Sequence, residues 1–160
     1  MTTFDRDSNN ANPWLARLDP SPKRVSDGGV KSEFLVELDS FHDSRGSLTV
    51  LQSHPSLPKI ERIFVVYGSA LTSIRGDHAH HTCTQILVST SGWTDVYLET
   101  PKREFICIRL DDPRFGILIP PRHWGSQYQR SNGAVLTVVA SHLYDSADYI
   151  RSYADWEAQI

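Results

Sequence analysis

Three of the seven histidines of this 160-residue chain lie within four positions of one short segment. Residues 75–85 read RGDHAHHTCTQ. If the segment is extended, His78 and His80 leave the same face of the strand while His81 points to the other, because side chains alternate along a strand. An imidazole with a pKa of about 6.5 serves as base or acid at neutral pH, and it is also a common metal ligand. Two imidazoles in one pocket therefore indicate proton transfer or metal binding.

A purely structural role, as a core or surface residue, is the remaining alternative for a histidine in a strand. We assign that interpretation to His81, because it points away from the pair. His42, His54 and His142 receive the same interpretation, since the sequence offers them no partner.

Short β-rich runs separated by turn residues begin at about residue 34 and must position these histidines. They read, in chain order, FLVEL, SLTVLQ, IERIFVVY, QILVS, WTDVYLE, FICIRL, GILIP and AVLTVVAS. With no helical pattern between them, they predict an all-β fold, an antiparallel sandwich or barrel. The single helical pattern is terminal, where Tyr149, Tyr153, Trp156 and Ile160 form one apolar stripe that we expect to pack against the barrel.

The first thirty residues have a different composition, rich in Asn, Asp, Ser and Pro. Such a segment does not bury enough apolar surface to fold alone. We therefore predict a mobile arm over residues 1–30 and one domain over residues 31–160, which is enough chain for a real core.

The charge and the apolar content exclude several partners. A net charge of −3 with scattered Lys and Arg predicts binding to neither nucleic acid nor an anionic membrane. No run approaches the ~18 apolar residues of a membrane span, and no signal peptide is evident, so we expect a cytoplasmic protein. Cys83 and Cys107 fit neither a disulfide framework nor a CxxC metal motif, and we expect buried thiols.

The spacing of His78, His80 and Gln85 resembles the first motif of the cupin barrels, HxHxxxxExxxxxxG, and residues 121–126 (PRHWGS) resemble the second, PxGxxH. The resemblance implies a cupin jelly roll. However, Gln85 stands where cupins usually have a metal-binding Glu, and Ser126 stands where a third histidine ligand would be. Two neutral imidazoles alone are a poor site for Zn, Fe or Mn. We therefore expect no catalytic metal and no cofactor.

A longer pattern made of RGDHAHHTCTQ, PPRHWGSQYQRS and ASHLYDSADYIRSY resembles the sugar nucleotide 3,4-ketoisomerases, which are small metal-free cupins acting on dTDP-4-keto-6-deoxyglucose. The resemblance implies a dTDP-sugar substrate whose carbonyl moves from C4 to C3 through an enediol. It further implies His78 as the base, His80 as a second proton-transfer or hydrogen-bonding group, and Tyr67 as a donor to the developing oxyanion. One difference is His81, where the family often has Lys.

Binding of a nucleotide diphosphate requires cations. Arg75 and Arg122 are the candidates, because the guanidinium fork matches phosphate oxygens, and Arg122 is favoured since its loop is expected at the barrel mouth. Gln85, Trp124 and Tyr128 are further candidates for substrate contacts, with core packing as the alternative for both aromatic residues.

Three alternatives to a ketoisomerase remain at this point: a sugar nucleotide 3,5-epimerase, a non-catalytic sugar nucleotide-binding cupin, and a metal-dependent cupin dioxygenase. The resemblance also implies a homodimer in which a strand within residues 34–52 pairs with the partner's sheet. Open barrels have edge strands that need covering, which agrees with such an exchange.

Overall fold

The computed structural model describes residues 12–160, which fold into strands, short 3₁₀ helices and one α-helix. In chain order the strands are β1 (Lys23–Arg24), β2 (Leu35–Glu37), β3 (Ser40–Asp43), β4 (Gly46–Thr49), β5 (Arg62–Val66), β6 (Arg75–His80), β7 (Gln85–Ser91), β8 (Thr94–Glu99), β9 (Phe105–Leu110), β10 (Phe115–Ile119), β11 (Trp124–Arg130), β12 (Val135–Ala140) and β13 (Tyr149–Ile150). Helix α1 is Tyr153–Glu157, and the 3₁₀ helices are Pro13–Arg17, Val25–Asp27 and Ser146–Asp148.

Two sheets pack face to face. One has six strands in the order β1-β9-β8-β11-β6-β13, and the other has five in the order β2-β10-β7-β12-β5. Neighbouring strands are antiparallel except β1 and β9, which are parallel. Strands β3 and β4 form a separate hairpin. The prediction of an all-β antiparallel fold with a short C-terminal helix is confirmed.

Apolar side chains from both sheets fill the space between them. They include Leu87, Val96, Leu98, Ile117, Leu136 and Val138, all 3 % exposed or less. Because side chains alternate along β8, Tyr97 lies on the opposite face of the six-stranded sheet from Val96 and Leu98. On that outer face a second set of buried residues forms what we call the aromatic cluster: Trp14, Ala79, Tyr97, Trp124, Tyr128, Ile150, Tyr153 and Trp156.

The segment before residue 31 is packed against the barrel where it is described, contrary to the prediction of a mobile arm. Residues 1–11 lie outside the described residues, but residues 12–30 pack on the six-stranded sheet. Trp14 is 0 % exposed and stacks on Tyr97 with ring centroids 5.1 Å apart. Arg17 forms an ion pair with the buried Glu99 at 2.6 Å. The segment is too polar to fold alone, but Trp14, Leu15 and Leu18 pack in the aromatic cluster, and Val25 and Val30 pack with the core between the sheets.

The predicted terminal helix is shorter than its apolar stripe suggested. Helix α1 begins after Ser152, whose Oγ accepts a hydrogen bond from the Asp155 amide at 3.2 Å, as expected of an N-cap. Tyr149 lies instead in β13, where it pairs with His80 of β6. Tyr153 and Trp156 are buried as predicted, whereas Ile160 is 42 % exposed. In the described part of the chain, no helix is both long and apolar enough to span a membrane.

Candidate active site

A β-bulge sets the direction in which the two histidines of β6 point. Gly76 and Asp77 both have positive φ, +73° and 57°, and the pairing with β11 shifts register at this point. At Gly76 the positive φ favours glycine, and a Cβ there would also lie 3.0 Å from the backbone carbonyl oxygen of Gly125. After the bulge the strand is regular. Ala79 therefore joins the aromatic cluster, while His78 and His80 share the inner face.

A cavity of about 310 Å³ opens between the sheets at this end of the barrel. Its apolar wall comes from β5, β7 and β12. Its polar lining residues are Arg75, His78, Gln85, Gln127, Tyr149 and Arg151, together with the backbone of Gly76. His80 lies directly behind His78, with the two Nε2 atoms 3.2 Å apart. The structure thus brings together His78, His80, Gln85 and Arg75 from the residues that the sequence indicated.

The hydrogen-bond partners define the tautomers of the pair. His78 Nδ1 lies 2.8 Å from the Gly76 carbonyl oxygen, and His80 Nδ1 lies 2.8 Å from Asp148 Oδ2. Carbonyl and carboxylate oxygens only accept, so each Nδ1 carries the proton and donates it. Both Nε2 atoms are therefore unprotonated. The Gln85 amide nitrogen lies 3.2 Å from His80 Nε2. One additional proton between the two Nε2 atoms would be shared by the pair.

Asp148 is held firmly in its place beside His80. Its Oδ1 accepts hydrogen bonds from the backbone and side chain of Thr82 at 2.8 and 2.7 Å, and its Oδ2 accepts one from the Cys83 amide at 3.2 Å. Burial acts against ionisation, but these donors and His80 together keep the pKa of Asp148 below its ordinary value. A carboxylate fixed in this way orients the His80 ring, as carboxylates do in many histidine-dependent sites.

Burial lowers the pKa of both imidazoles. For His78 the effect of burial is increased by the positive charges of Arg151 and Arg62. For His80 burial and the neighbouring His78 outweigh the hydrogen bond to Asp148, and the pKa falls to about 4. Both rings are therefore neutral at pH 7 and able to accept a proton.

Tyr149 packs its ring against both histidines, with centroid distances of 4.8 Å to His78 and 4.3 Å to His80. It belongs to β13, which pairs with β6 and brings the tyrosine into the cavity lining. Tyr149 is thus the phenol nearest to the pair among the residues that line this cavity.

The cavity mouth carries positive charge. Arg75 and Arg151 both line it and are exposed. Within residues 12–160 neither guanidinium has a carboxylate partner within 4.0 Å, and Arg151 rests over the Tyr149 ring at 4.2 Å. Unpaired arginines beside a pocket are suited to an anionic ligand.

Tyr67 does not reach the histidines, contrary to the prediction. Phe64 and Val66 of β5 point into the cavity, so Ile63, Val65 and the residue following the strand, Tyr67, point outward. Tyr67 is 74 % exposed. The sequence IERIFVVY is apolar on both faces and gave no sign of which side chains point inward.

Three predicted substrate contacts also lie away from the cavity. Arg122 donates a hydrogen bond to the Gln159 carbonyl, and its own carbonyl accepts one from the Trp156 indole, so it holds the C-terminal helix. Trp124 and Tyr128 are 0 % exposed in the aromatic cluster. Both aromatic residues therefore pack in the core, which was the alternative to a substrate contact.

Four residues of the site were not singled out from the sequence: Gln127, Asp148, Tyr149 and Arg151. The last three stand within DSADYIR, a part of the pattern that carried the family resemblance. Their charged and aromatic side chains, within a motif of the family, could have marked them as site residues. Gln127 lies in WGSQYQR, which lacks the apolar alternation that marks a strand.

The residues at the cupin metal positions do not fit a metal ion. Gln85 directs its amide at the His80 ring, and Ser126 points to the outer face, where its hydroxyl donates to Asp77 Oδ1 at 3.3 Å. Only the two imidazoles remain, and they are too few for a catalytic metal site.

Comparisons with known proteins identify the family to which the chain belongs. Residues 31–160 match the family described as FdtA: WxcM-like, C-terminal. A TDP-4-oxo-6-deoxy-alpha-D-glucose-3,4-oxoisomerase from Aneurinibacillus thermoaerophilus is 34% identical over 129 residues, which cover 79% of this chain and 91% of the relative. The 3,4-ketoisomerase QdtA from Thermoanaerobacterium thermosaccharolyticum, solved in complex with TDP, is 31% identical with a TM-score of 0.73, covering 78% and 91% of the two chains.

A third relative is the WlaRB TDP-quinovose 3,4-ketoisomerase from Campylobacter jejuni, 34% identical with a TM-score of 0.71 over 78% of this chain and 95% of the relative. Sugar epimerases also share the fold, but at 16% and 17% identity they show the fold alone.

The fold and the site define a cupin with a histidine-lined pocket and, among the described residues, no set of metal ligands at the cupin metal positions. The chain belongs to the FdtA family of WxcM-like cupins, so the predicted resemblance to the 3,4-ketoisomerases is confirmed. The predicted enzyme class, an isomerase, is confirmed with it.

Proposed function

We propose that this isomerase moves the carbonyl of a TDP-4-keto-6-deoxyhexose, TDP-4-keto-6-deoxyglucose in particular, from C4 to C3. The observation that carries the proposal is the pair of imidazoles of His78 and His80, whose Nε2 atoms lie 3.2 Å apart beside an open cavity. A reaction that removes one proton and returns another needs such groups, and it needs them neutral.

The first half of the reaction uses His78, which lines the cavity while His80 lies behind it. His78 Nε2 takes the proton from C3, the C3–H electron pair forms the C3=C4 double bond, and the carbonyl electron pair moves onto O4. Burial favours His78 as a neutral base, since it lowers the pKa of this ring. The developing charge on O4 requires a donor, and Tyr149 replaces Tyr67 as our candidate because it packs on both imidazoles.

The second half converts the enediol to the 3-ketone. O4 first gains a proton. O3–H then gives up its proton to form the C3 carbonyl, and C4 takes a proton in place of the one lost from C3. His80, within hydrogen-bonding distance of His78, passes the extra proton within the pair, and Asp148 stabilises the imidazolium while it exists. Protons and electrons balance without any added reagent.

Arg75 and Arg151 are our candidates for the diphosphate. Both are unpaired, exposed cations at the mouth of the cavity, whereas Arg122 is engaged at the C-terminal helix. A TDP complex of a related ketoisomerase supports TDP as the nucleotide.

Proton NMR of the product tests the function directly. The purified protein is incubated with freshly prepared TDP-4-keto-6-deoxyglucose, and the position of the ketone is assigned. A ketone at C3 supports the proposal. A ketone retained at C4 with inversion at C3 and C5 would make the protein an epimerase, and unchanged substrate would indicate a binding protein.

We further propose a homodimer that forms through strand exchange within residues 34–52. The β3–β4 hairpin stands free of both sheets and exposes Phe41 and Leu48, 64 % and 58 % exposed. The edge strand β5 exposes Ile63 and Val65 on its outer side, at 62 % and 47 %. Free apolar hairpins and apolar edge strands are unstable in water unless a partner covers them.

Light scattering tests the dimer. We expect twice the chain mass at micromolar protein and a shift to monomer for Phe41→Ser combined with Leu48→Ser. The exposed Tyr144→Ser, outside the hairpin, serves as the control. A wild-type protein that remains monomeric would contradict the proposal.

A further inference from the structure

A second set of potential ligands lies behind His80, on the side away from the cavity. Cys83 Sγ, His80 and Asp148 offer ligand atoms that all lie within 4.8 Å of one another. Thiolate, imidazole and carboxylate are the three ligand types that Zn²⁺ takes in proteins. None of these atoms belongs to the cupin metal positions, because the cluster uses the Nδ1 side of His80 and not the Nε2 side.

The distances suit a tetrahedral ion after a small adjustment. Bonds of about 2.0–2.3 Å place the ligand atoms of a tetrahedral zinc site about 3.3–3.7 Å from one another. His80 Nδ1 and Asp148 Oδ2 are 2.8 Å apart and would separate slightly, while the sulfur would approach. The movement required is on the order of 1 Å, which a side-chain rotation provides.

The cluster lies one side chain below an open groove. The groove has a volume of about 720 Å³ and is lined in part by Thr82, Ser141 and Asp148. Ser141 Oγ lies 3.9 Å from Cys83 Sγ, and the Asp148 side chain is 12 % exposed. An ion in the groove therefore reaches the carboxylate first, and a water from the groove can supply a fourth ligand.

We propose that Cys83, His80 and Asp148 bind a thiophilic divalent cation, with Zn²⁺ as the probe, and that the bound ion stops catalysis by reversing the tautomer of His80. This inference rests on the proposed function, since it concerns regulation of the same histidine pair.

The chemistry of the step is balanced. The Cys83 thiol releases one proton to solvent, and the His80 proton leaves Nδ1, which then binds the ion, and is carried on Nε2 instead. No electron transfer occurs. His80 Nε2–H now faces His78 Nε2 at 3.2 Å and donates to it. Both lone pairs that the reaction needs are thus occupied, although the cavity itself remains open to substrate.

Binding is tested without reference to activity. Co²⁺ replaces Zn²⁺ in such sites and gives a thiolate-to-cobalt charge-transfer absorption in the near ultraviolet. We expect this band in the wild-type protein and in Cys107→Ser, the matched control at the other cysteine, and no band in Cys83→Ser. A band that persists in Cys83→Ser, or no band in the wild type, would overturn the site.

Inhibition is tested with the same variants, each first freed of metal by a chelator. Zn²⁺ is expected to lower kcat of the wild type and of Cys107→Ser with little change in KM, and excess chelator is expected to restore it. Cys83→Ser keeps its basal activity, and its inhibition requires at least about tenfold more Zn²⁺ because one ligand is lost.

Equal inhibition of Cys83→Ser would place the inhibitory ion elsewhere, for example on His81 and His142 of the groove, and would overturn the inference. A wild-type cobalt band without inhibition would overturn the tautomer mechanism. If no variant isomerises the sugar at all, the proposed function fails, while the cobalt spectrum still decides whether the site exists.

Discussion

The two faces of strand β6 differ in what their neighbours provide. On the outer face Ala79 lies among tryptophans and tyrosines that are almost completely buried. On the inner face His78 borders an open cavity, and His80 lies directly behind it with the two Nε2 atoms 3.2 Å apart. Strand β6 therefore has one face in a tightly packed cluster and the other face at the proposed reaction site. The packed face fixes the backbone, so the reactive face is able to hold polar groups that are not fully hydrogen-bonded until substrate arrives.

Replacement of His78 by Asn breaks the reactive face and has the largest expected effect. Loss of a general base costs about 10²–10⁴-fold in kcat, and thermal stability is expected to remain unchanged because no large apolar group is removed. Steady-state kinetics and thermal melting measure the two results. His81→Asn, a change of the same type at an exposed position, is the control and keeps its activity. Wild-type rates in His78→Asn would refute its role as base.

Replacement of Trp14 by Ala breaks the packed face. The side chain is 0 % exposed and stacks on Tyr97, so its removal is expected to cost about 3–5 kcal/mol of unfolding free energy. Urea unfolding measures this, and Trp14→Phe is expected to recover much of the loss. An unchanged unfolding midpoint would mean that the segment before residue 31 does not pack on the sheet in solution.

Substitution of the arginines tests whether the cavity mouth binds the nucleotide. Arg75→Ala and Arg151→Ala are each expected to weaken TDP binding by about 1.5–3 kcal/mol, the range for a charge-assisted hydrogen bond. Calorimetry with TDP measures the change. Arg122→Ala serves as the comparison, since that side chain is engaged at the C-terminal helix. Weaker binding in Arg122→Ala alone would place the nucleotide at a different edge of the barrel.

The pH dependence gives the smallest expected effect. An imidazole with the ordinary pKa of 6.5 would lose about fourfold in its neutral fraction between about pH 7.5 and about pH 6. Because burial lowers the pKa of His78, we expect kcat/KM of chelator-treated enzyme to fall by less than this over the same interval. A fourfold or larger fall would show that His78 titrates normally.

The lowered pKa of His78 and His80 also makes the stability depend on pH. Near pH 6.5 these histidines bind protons in the unfolded chain but not in the folded one, so the free energy of unfolding falls as the pH decreases below that value. For His80 this window extends from 6.5 down to about 4.

The sequence predicted the apolar strands well. Each of the eight runs read as strands overlaps a strand of the two sheets or the hairpin. In these runs β-branched and aromatic residues alternate or cluster between turn residues, which is a local signal. Strand β11 was missed because its residues facing the cavity are polar, so no apolar alternation marks it.

The site was predictable where a motif is local and less so where partners are distant. His78, His80 and Gln85 lie within eight residues, and the parity of one strand places the two histidines on one face. Asp148 and Tyr149 reach the pair only because β13 pairs with β6, which no local pattern reveals. Tyr149 also stands at helical spacing from Tyr153, so the sequence indicated a helix where pairing with β6 gives a strand.

The central claim, that the inner face of β6 transfers the C3 proton, is tested most directly by deuterium exchange. TDP-4-keto-6-deoxyglucose is incubated in D₂O with the wild type and with His78→Asn, and solvent deuterium in the sugar is located by NMR. We predict that the wild type releases the C3 hydrogen and that the 3-keto product carries deuterium at C4, whereas His78→Asn exchanges at least about 10²-fold more slowly. Equal exchange rates in the two proteins would contradict the account.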